Sequence, residues 1–221
     1  MSGKNAVVIG ASGLVGSALV KLLLEDDRCS KVVSFARRAK SPKHDKLEER
    51  VVDFDNHLSW QSDVKGDMAF SSLGTTIKQA GSKDAQYKVD YTYQFEFAKA
   101  VAKNGIPSYA LVSSASASAK SSMFYSRIKG ELDRDVQTLG IARVRIFRPS
   151  LLLGARENER LGEKLSAPLL AAASAIGIAR KWRGITGDTV ARAMINASFD
   201  ESPGTKIYAL EEVFARASAQ A

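Results

Sequence analysis

The sequence predicts an α/β protein built on a doubly wound parallel sheet. Short apolar segments rich in β-branched residues alternate along the chain with longer segments of helical periodicity, as expected when helices connect parallel strands. The first strand segment runs directly into three glycines spaced three residues apart. At 221 residues the chain is long enough for one substantial core, so we expect a single domain over 1–221. Within it we expect a core at 1–150 and a small C-terminal cap at 151–221 that faces the substrate.

The N-terminal segment carries the most specific signal. Ala6–Ile9 has the pattern of a buried strand, and leucines at helical spacing follow the glycines. This order places a helix N-terminus where its free N–H groups and dipole can bind a pyrophosphate. Gly10 permits the tight turn, Gly13 lets the backbone approach phosphate, and Gly16 lets the helix pack on the strand. The segment therefore predicts a dinucleotide-binding Rossmann fold with contacts from Gly10, Ser12, Gly13, Leu14, Val15 and Gly16.

The end of the second predicted strand, Lys31–Ala36, indicates which dinucleotide is bound. Sites that prefer NAD place an acidic residue near this point to accept a hydrogen bond from the ribose 2′-hydroxyl. Here Arg37 and Arg38 follow the strand, and no Asp or Glu occurs between Lys31 and Lys43. A guanidinium binds a 2′-phosphate with two hydrogen bonds. The sequence therefore predicts NADP, with a solvated surface loop as the alternative interpretation of the two arginines.

Two further strand ends are expected at the same edge of the sheet. The third strand is predicted at Arg50–Phe54, where the Asp53 carboxylate either accepts from the adenine amino group or caps a turn. The fourth strand is predicted at Asp67–Leu73 and leads into Gly74 at the carboxyl end of the sheet, where open α/β proteins bind ligands. The predicted cofactor contacts from these segments are Asp53, Phe54, Leu73, Gly74 and Thr75.

A tyrosine and a lysine carry the predicted chemistry. A long helix is expected over Ser82–Asn104, and the fifth strand, Tyr109–Ser113, then delivers several serines to the cofactor edge. The next helix opens with Tyr125 and Lys129, which lie four residues apart and therefore on one helix face. A tyrosine hydroxyl can transfer the proton that accompanies hydride transfer at a carbonyl carbon, and a neighbouring lysine stabilises the phenolate. A strand-end serine would bind the carbonyl or alkoxide oxygen.

Together these segments resemble the short-chain dehydrogenase/reductase superfamily. Within it, the chain is similar to the atypical branch that includes the Tat-interacting, oxidoreductase-like proteins. The motifs that carry the resemblance lie between residues 8 and 163 and read VIGASGLVG, VVDFD, SLGTT, LVSS, YSRIKGE and FRPSLLLG followed by REN-ER-GE. The resemblance implies an NADP-type cofactor, a backbone contact to the nicotinamide amide near Pro149, and a catalytic set of Ser114, Tyr125 and Lys129. Ser113 and Ser116 are alternatives for the serine.

The spacing of the catalytic set leaves two functions open. Ten residues separate Ser114 from Tyr125, fewer than in most catalytic members of the superfamily. The atypical branch shares this short link and includes members that bind and regulate. The first function is an NADP(H)-dependent oxidoreductase acting on a small-molecule carbonyl or alcohol. The alternative is an NADP-binding regulatory or scaffold protein with a protein partner and no significant turnover.

Composition indicates which partners, metal sites and cellular location to expect. The net charge is +8, but Lys and Arg are spread along the chain without interleaved aromatic residues, so we expect no nucleic-acid partner. A single cysteine, Cys29, excludes an intramolecular disulfide and argues against a metal site. The longest later apolar stretch, Ala167–Ala179, is too short to span a bilayer, so we expect no membrane association. We therefore expect a cytoplasmic protein.

The C-terminal part is expected to recognise the substrate. The sixth strand is predicted at Ile141–Phe147, and helices are predicted at Arg160–Ile176 and Asp188–Phe199. A late strand is predicted at Lys206–Leu210. The resemblance thins over this part, so the substrate cannot be named from the sequence.

Overall fold

The computed structural model describes residues 3–39, 43–153 and 183–219. Within these ranges, seven strands form one parallel sheet in the order β3-β2-β1-β4-β5-β6-β9, and two short strands, β7 and β8, pair separately. Val7 on the interior strand β1 pairs with Val33 on one side and Ala69 on the other. The strands are β1 (Lys4–Ile9), β2 (Cys29–Ala36), β3 (Leu47–Val51), β4 (Met68–Ser71), β5 (Ser108–Val112), β6 (Arg143–Arg148), β7 (Leu152–Leu153), β8 (Ile185–Thr186) and β9 (Gly204–Ala209).

Helices pack against both faces of the sheet. A π-helical turn at Lys88–Thr92 joins α3 to α4, and single 3₁₀ turns lie at His57–Ser59 and Gln61–Asp63. None of the helices in the described ranges combines the length and the apolar character needed to cross a bilayer. The α-helices are α1 (Leu14–Glu25), α2 (Ile77–Ala80), α3 (Lys83–Tyr87), α4 (Tyr93–Lys103), α5 (Phe124–Val136), α6 (Gly187–Ser198) and α7 (Glu211–Ser218).

Strand β1 explains why both faces are covered. Its apolar side chains alternate, so that Ala6 and Val8 enter the core beneath α1 and α6, while Val7 and Ile9 enter the core beneath α4 and α5. All four residues are fully buried, as is typical of parallel strands covered on both faces. The predicted doubly wound parallel α/β fold is therefore confirmed.

The third predicted strand is displaced along the chain. It was expected at Arg50–Phe54, but β3 occupies Leu47–Val51. Strand β3 is the edge of the sheet, so its side chains are only half-buried or exposed, and Glu48 and Glu49 can occupy strand positions. A prediction based on apolar residues therefore places the start of this strand too far along the chain. Beyond Val51 the chain turns, and Asp53 lies in that turn rather than in the strand.

The predicted helix Ser82–Asn104 is present but irregular. The Ser82 hydroxyl accepts a hydrogen bond from the Ala85 N–H at 3.0 Å, which confirms its capping role. Gly105, with φ of 70°, follows the end of α4. Between these ends, the π turn changes which residues face the sheet, because each turn of a π-helix holds more residues than an α-helical turn.

The described C-terminal residues join the main sheet and core. Strand β9 pairs along β6, and α6 packs between α1 and α7. The sequence analysis predicted β9 and α6 but missed α7, whose short amphipathic segment directly follows the last strand. The predicted helix Arg160–Ile176 lies outside the described residues. The division into a core and a cap at residue 150 stays a prediction.

A buried arginine ties this C-terminal segment to the sheet. Arg145 on β6 is fully buried. Its guanidinium donates to the carbonyl oxygen of Gly204 at 2.7 Å, to that of Asp200 at 3.1 Å, and to that of Ser202. Asp200 and Ser202 lie in the loop between α6 and β9, and Gly204 is the first residue of β9. The arginine therefore ties β6 to the loop after α6 and to the start of β9 through hydrogen bonds to their backbone oxygens.

Candidate active site

The glycine turn has the geometry expected of a phosphate-binding helix start. Gly10 has φ of 85°, and a Cβ on Gly16 would lie 2.0 Å from the Gly10 carbonyl oxygen, so both positions require glycine. Gly13 caps α1 without a side-chain hydrogen bond, and the first turn of α1 contains no acidic residue. The first N–H groups of a helix have no partner within it. They are therefore available to an anion.

An open cavity of about 900 Å³ lies at the carboxyl ends of β1, β4 and β5. Its size lies within the range of small-molecule sites. Among its described lining residues, Arg37, Lys78 and Lys129 are basic and none is acidic, which favours a phosphorylated ligand. The predicted site residues that line it are Gly10, Ser12, Gly13, Leu14, Val15, Arg37, Leu73, Gly74, Thr75, Tyr125 and Lys129.

Tyr125 and Lys129 present one face of α5 to this cavity. Tyr125 lies in the first turn of α5 and is 40% exposed, while Lys129, one turn later, is 2% exposed. The Lys129 ammonium lies 3.1 Å from Asp90 Oδ1 and 3.5 Å from the Leu73 carbonyl oxygen. Burial acts to lower the pKa of Lys129, but the charges of Asp90 and Tyr125 outweigh it and leave that pKa raised. Lys129 is therefore a charged group at the base of the cavity.

Asp90 is the main site residue that the sequence analysis missed. It lies in the π turn and is fully buried, and its Oδ2 accepts a hydrogen bond from the Thr75 N–H at 3.1 Å. The inward stripe of this helix consists of the polar residues Gln86, Asp90 and Gln94, spaced four apart. A search for apolar periodicity ignores such a stripe. The useful signal would have been polar residues repeating every four positions opposite the exposed face.

The strand-end serines differ in their surroundings. Ser113 is buried, lines the cavity and lies beside the Asp133 carboxyl. Ser114 is not among the lining residues, and its Oγ lies 3.1 Å from the Ser116 hydroxyl. Ser126 in turn donates to Ser116 at 3.0 Å. The structure thus brings Ser113 nearer to the cavity than Ser114, and both stay candidates for the catalytic serine.

The buried Asp133 carboxyl on α5 forms a second ion pair, with the partly exposed Arg148 at the end of β6. Burial raises the pKa of Asp133, and contacts with Ser113 and Arg148 only partly oppose that rise. Arg148 Nε lies 2.9 Å from Asp133 Oδ2. The segment after Arg148 is joined to the serine turn, because the Ala115 N–H donates to the Pro149 carbonyl oxygen at 3.1 Å. Pro149 is therefore fixed beside the end of β5, although it does not line the cavity.

The remaining predicted contacts lie outside the cavity lining. Arg38 is exposed next to Arg37. The Asp53 carboxylate accepts from the Asp55 N–H at 3.0 Å, which is the turn-capping role. Phe54 is buried and stacks on Tyr93, with ring centroids 5.4 Å apart. Gly16 faces the Gly10 backbone, so its contribution is to helix packing.

Comparison with known protein families agrees with this geometry. The model of a family described as the NAD dependent epimerase/dehydratase family matches residues 6–174. The chain belongs to this family. The family description supports a nicotinamide dinucleotide as the cofactor. In the described residues, no group of three or more His, Cys, Asp or Glu side chains is arranged to hold a metal ion.

Two fungal proteins are similar in sequence to this chain over most of its length. The protein named fmp52, mitochondrial, of Aspergillus clavatus is 33% identical over 209 residues, which cover 90% of this chain and 89% of the relative. The protein named FMP52, mitochondrial, of Candida glabrata is 39% identical over 165 residues, covering 73% and 70%. These mitochondrial names conflict with a purely cytoplasmic location, so the expectation of a cytoplasmic protein is wrong.

Solved structures confirm the fold. The Bordetella bronchiseptica enzyme WbmH in complex with NAD+ superposes with a TM-score of 0.71 at 17% identity. The match covers 97% of this chain and 80% of that one. At this level of identity the likeness concerns the Rossmann fold.

Proposed function

We propose that the protein is an NADP(H)-dependent oxidoreductase of the short-chain dehydrogenase/reductase type, acting on a small-molecule carbonyl or alcohol. The observation that carries this proposal is that Tyr125 and Lys129 line the same cavity as the uncapped N-terminus of α1. The resemblance to the short-chain dehydrogenase/reductase superfamily supports the same function. Consumption of NADPH with a panel of aldehydes and ketones tests it. Binding without consumption would instead favour a regulatory protein.

Each part of the site has a role in this mechanism. The glycine turn would hold the pyrophosphate of the cofactor, and Lys129 would bind its ribose hydroxyls. When bound, the nicotinamide ring supplies a hydride to a carbonyl carbon. Tyr125 donates the proton to the carbonyl oxygen, and the nearby Lys129 charge stabilises the phenolate that remains. A serine at the end of β5, Ser114 or Ser113, donates a hydrogen bond to the same oxygen.

The preference for NADP is assigned to Arg37. Arg37 and Arg38 are adjacent and both exposed, but only Arg37 belongs to the described cavity lining. Replacing Arg37 with alanine should reduce the ratio of NADPH to NADH affinity about 10- to 100-fold, because a charge-assisted contact to the 2′-phosphate is lost. The measurement is a fluorescence titration of each variant with both cofactors.

The neighbouring arginine provides the matched control for this titration. Arg38→Ala removes the same charge from the same loop and should leave most of the NADPH preference in place. An Arg37→Ala variant that still prefers NADPH as strongly as the unmodified protein would contradict the assignment. Equal losses in the two single variants would assign the 2′-phosphate contact to both arginines.

A further inference from the structure

A stripe of polar residues joins the α3–α4 helix to the end of strand β4. Gln86 Nε2 donates to the Thr75 carbonyl oxygen at 3.1 Å, and the Asp90 carboxylate accepts from the Thr75 N–H. Gln94 accepts from the Ser71 hydroxyl at 2.8 Å and donates to the Asp90 carbonyl oxygen at 2.9 Å. Asp90 is therefore the centre of a buried polar network beneath the cavity.

Asp90 is the member of this network that carries a charge, and it meets the charge of Lys129. Both side chains are almost completely removed from water, at 0% and 3% exposure. A buried ammonium without a partner is strongly destabilised and tends to lose its proton. The 3.1 Å contact supplies that partner. The carboxylate thus determines whether Lys129 stays charged.

We propose that Asp90 is a positioning residue of the active site: its buried carboxylate keeps Lys129 in the charged form and ties the loop after β4 to the helix that carries Tyr125. This proposal rests on the proposed oxidoreductase function only for its catalytic consequence. It assigns a role to a residue that does not belong to the cavity lining. The ion pair and the Thr75 hydrogen bond are the two observations that carry it.

Other groups that face Lys129 cannot replace Asp90. On its own helix, Tyr125 and Asp133 act on Lys129, and the Leu73 carbonyl oxygen approaches from the loop after β4. Tyr125 carries a phenol rather than a carboxylate, and no hydrogen bond or ion pair joins it to Lys129 in the described contacts. Asp133 is paired with Arg148 at 2.9 Å. Among the described residues, Asp90 is the carboxylate that contacts the Lys129 ammonium.

The first test needs no cofactor and measures stability against pH. With Asp90 present, the Lys129 pKa lies above its ordinary value of 10.5, so Lys129 contributes no pH dependence of stability between about pH 6 and about pH 9. In Asp90→Asn burial is the largest remaining influence on Lys129, so we expect its folded-state pKa to fall below the unfolded value. Stability of the variant should then rise with pH between those two values. The difference in Tm between Asp90→Asn and the unmodified protein, the Tm gap, should decrease by at least about 3 °C from about pH 6 to about pH 9.

Asparagine is the informative replacement because it keeps an oxygen that can accept from the Thr75 N–H. Asp135→Asn is the matched control, since Asp135 lies on the same helix as Lys129 but pairs with Arg134 at 2.7 Å. Its Tm gap should stay constant over the same pH range. Should Asp90→Asn fail to fold, the double variant Asp90→Asn/Lys129→Met should fold again, because it no longer buries an ammonium without a carboxylate partner. A double variant less stable than Asp90→Asn would overturn the proposal.

The second test measures cofactor binding. The ratio of the NADPH Kd of Asp90→Asn to that of the unmodified protein should increase roughly tenfold from about pH 6 to about pH 9, as Lys129 loses its charge. Protonation of NADPH itself affects the Kd values of both proteins equally, so it cancels in their ratio. A constant ratio together with a constant Tm gap would refute the role of Asp90. Failure of the unmodified protein to bind NADPH would instead refute the proposed function, and the stability test would still decide the role of Asp90.

Discussion

Replacing Tyr125 with phenylalanine should lower kcat about 10²- to 10⁴-fold and leave the Kd for NADPH nearly unchanged. The hydroxyl is the proton donor of the proposed mechanism, and Tyr125 is 40% exposed in the cavity, so its removal leaves no buried polar group unpaired. The measurement is steady-state oxidation of NADPH with a carbonyl compound that the unmodified protein reduces. Cofactor affinity is measured on the same preparation by titration.

Tyr87→Phe is the matched control for this prediction. Tyr87 also lies on a helix, its hydroxyl makes only a 3.4 Å contact with Glu131, and it does not line the cavity. Its replacement should leave kcat unchanged. Turnover by Tyr125→Phe at the rate of the unmodified protein would remove Tyr125 from the mechanism.

Replacing Arg145 with methionine should lower the free energy of unfolding by about 3 kcal/mol or more. The fully buried guanidinium donates to the backbone oxygens of Asp200, Ser202 and Gly204, and methionine would leave them without these donors. Hydrogen bonds from a charged donor contribute about 1.5–3 kcal/mol each. The midpoint of urea unfolding should fall with little change in its slope.

Arg192→Met provides the comparison for this stability effect. Arg192 is half exposed and pairs with Asp188 on α6 at 2.8 Å, a surface contact worth about 1 kcal/mol or less. Its replacement should barely move the unfolding midpoint. If Arg145→Met were as stable as Arg192→Met, the hydrogen bonds to the α6–β9 loop would not hold the C-terminal segment in place.

The sequence predicts those parts of the fold and site that local chemistry determines. The Gly10, Gly13 and Gly16 spacing identifies the first strand, turn and helix, because the backbone conformation at Gly10 and the close packing at Gly16 require glycine. Tyr125 and Lys129 lie on one helix face because they are four residues apart. In both cases a few neighbouring residues decide the geometry.

Other features depend on distant partners and could not be found this way. Edge strand β3 carries glutamates because it is only half-covered, so apolar patterning misplaces it. Asp90 is buried because Lys129, on another helix, supplies its partner. An acidic residue in a helical segment does not by itself indicate whether such a partner exists. The choice between Ser113 and Ser114 likewise depends on how the turn after β5 folds against Ser116 and Ser126.

The central claim is that the cavity at the carboxyl ends of β1, β4 and β5 binds a phosphorylated nicotinamide dinucleotide. The most direct measurement is a titration of the purified, unmodified protein with NADPH and with NADH, followed by fluorescence. We predict saturable binding of one NADPH per chain and markedly weaker binding of NADH. If neither NADPH nor NADH bound, that result would contradict the assignment of the glycine turn and, with it, the proposed oxidoreductase function.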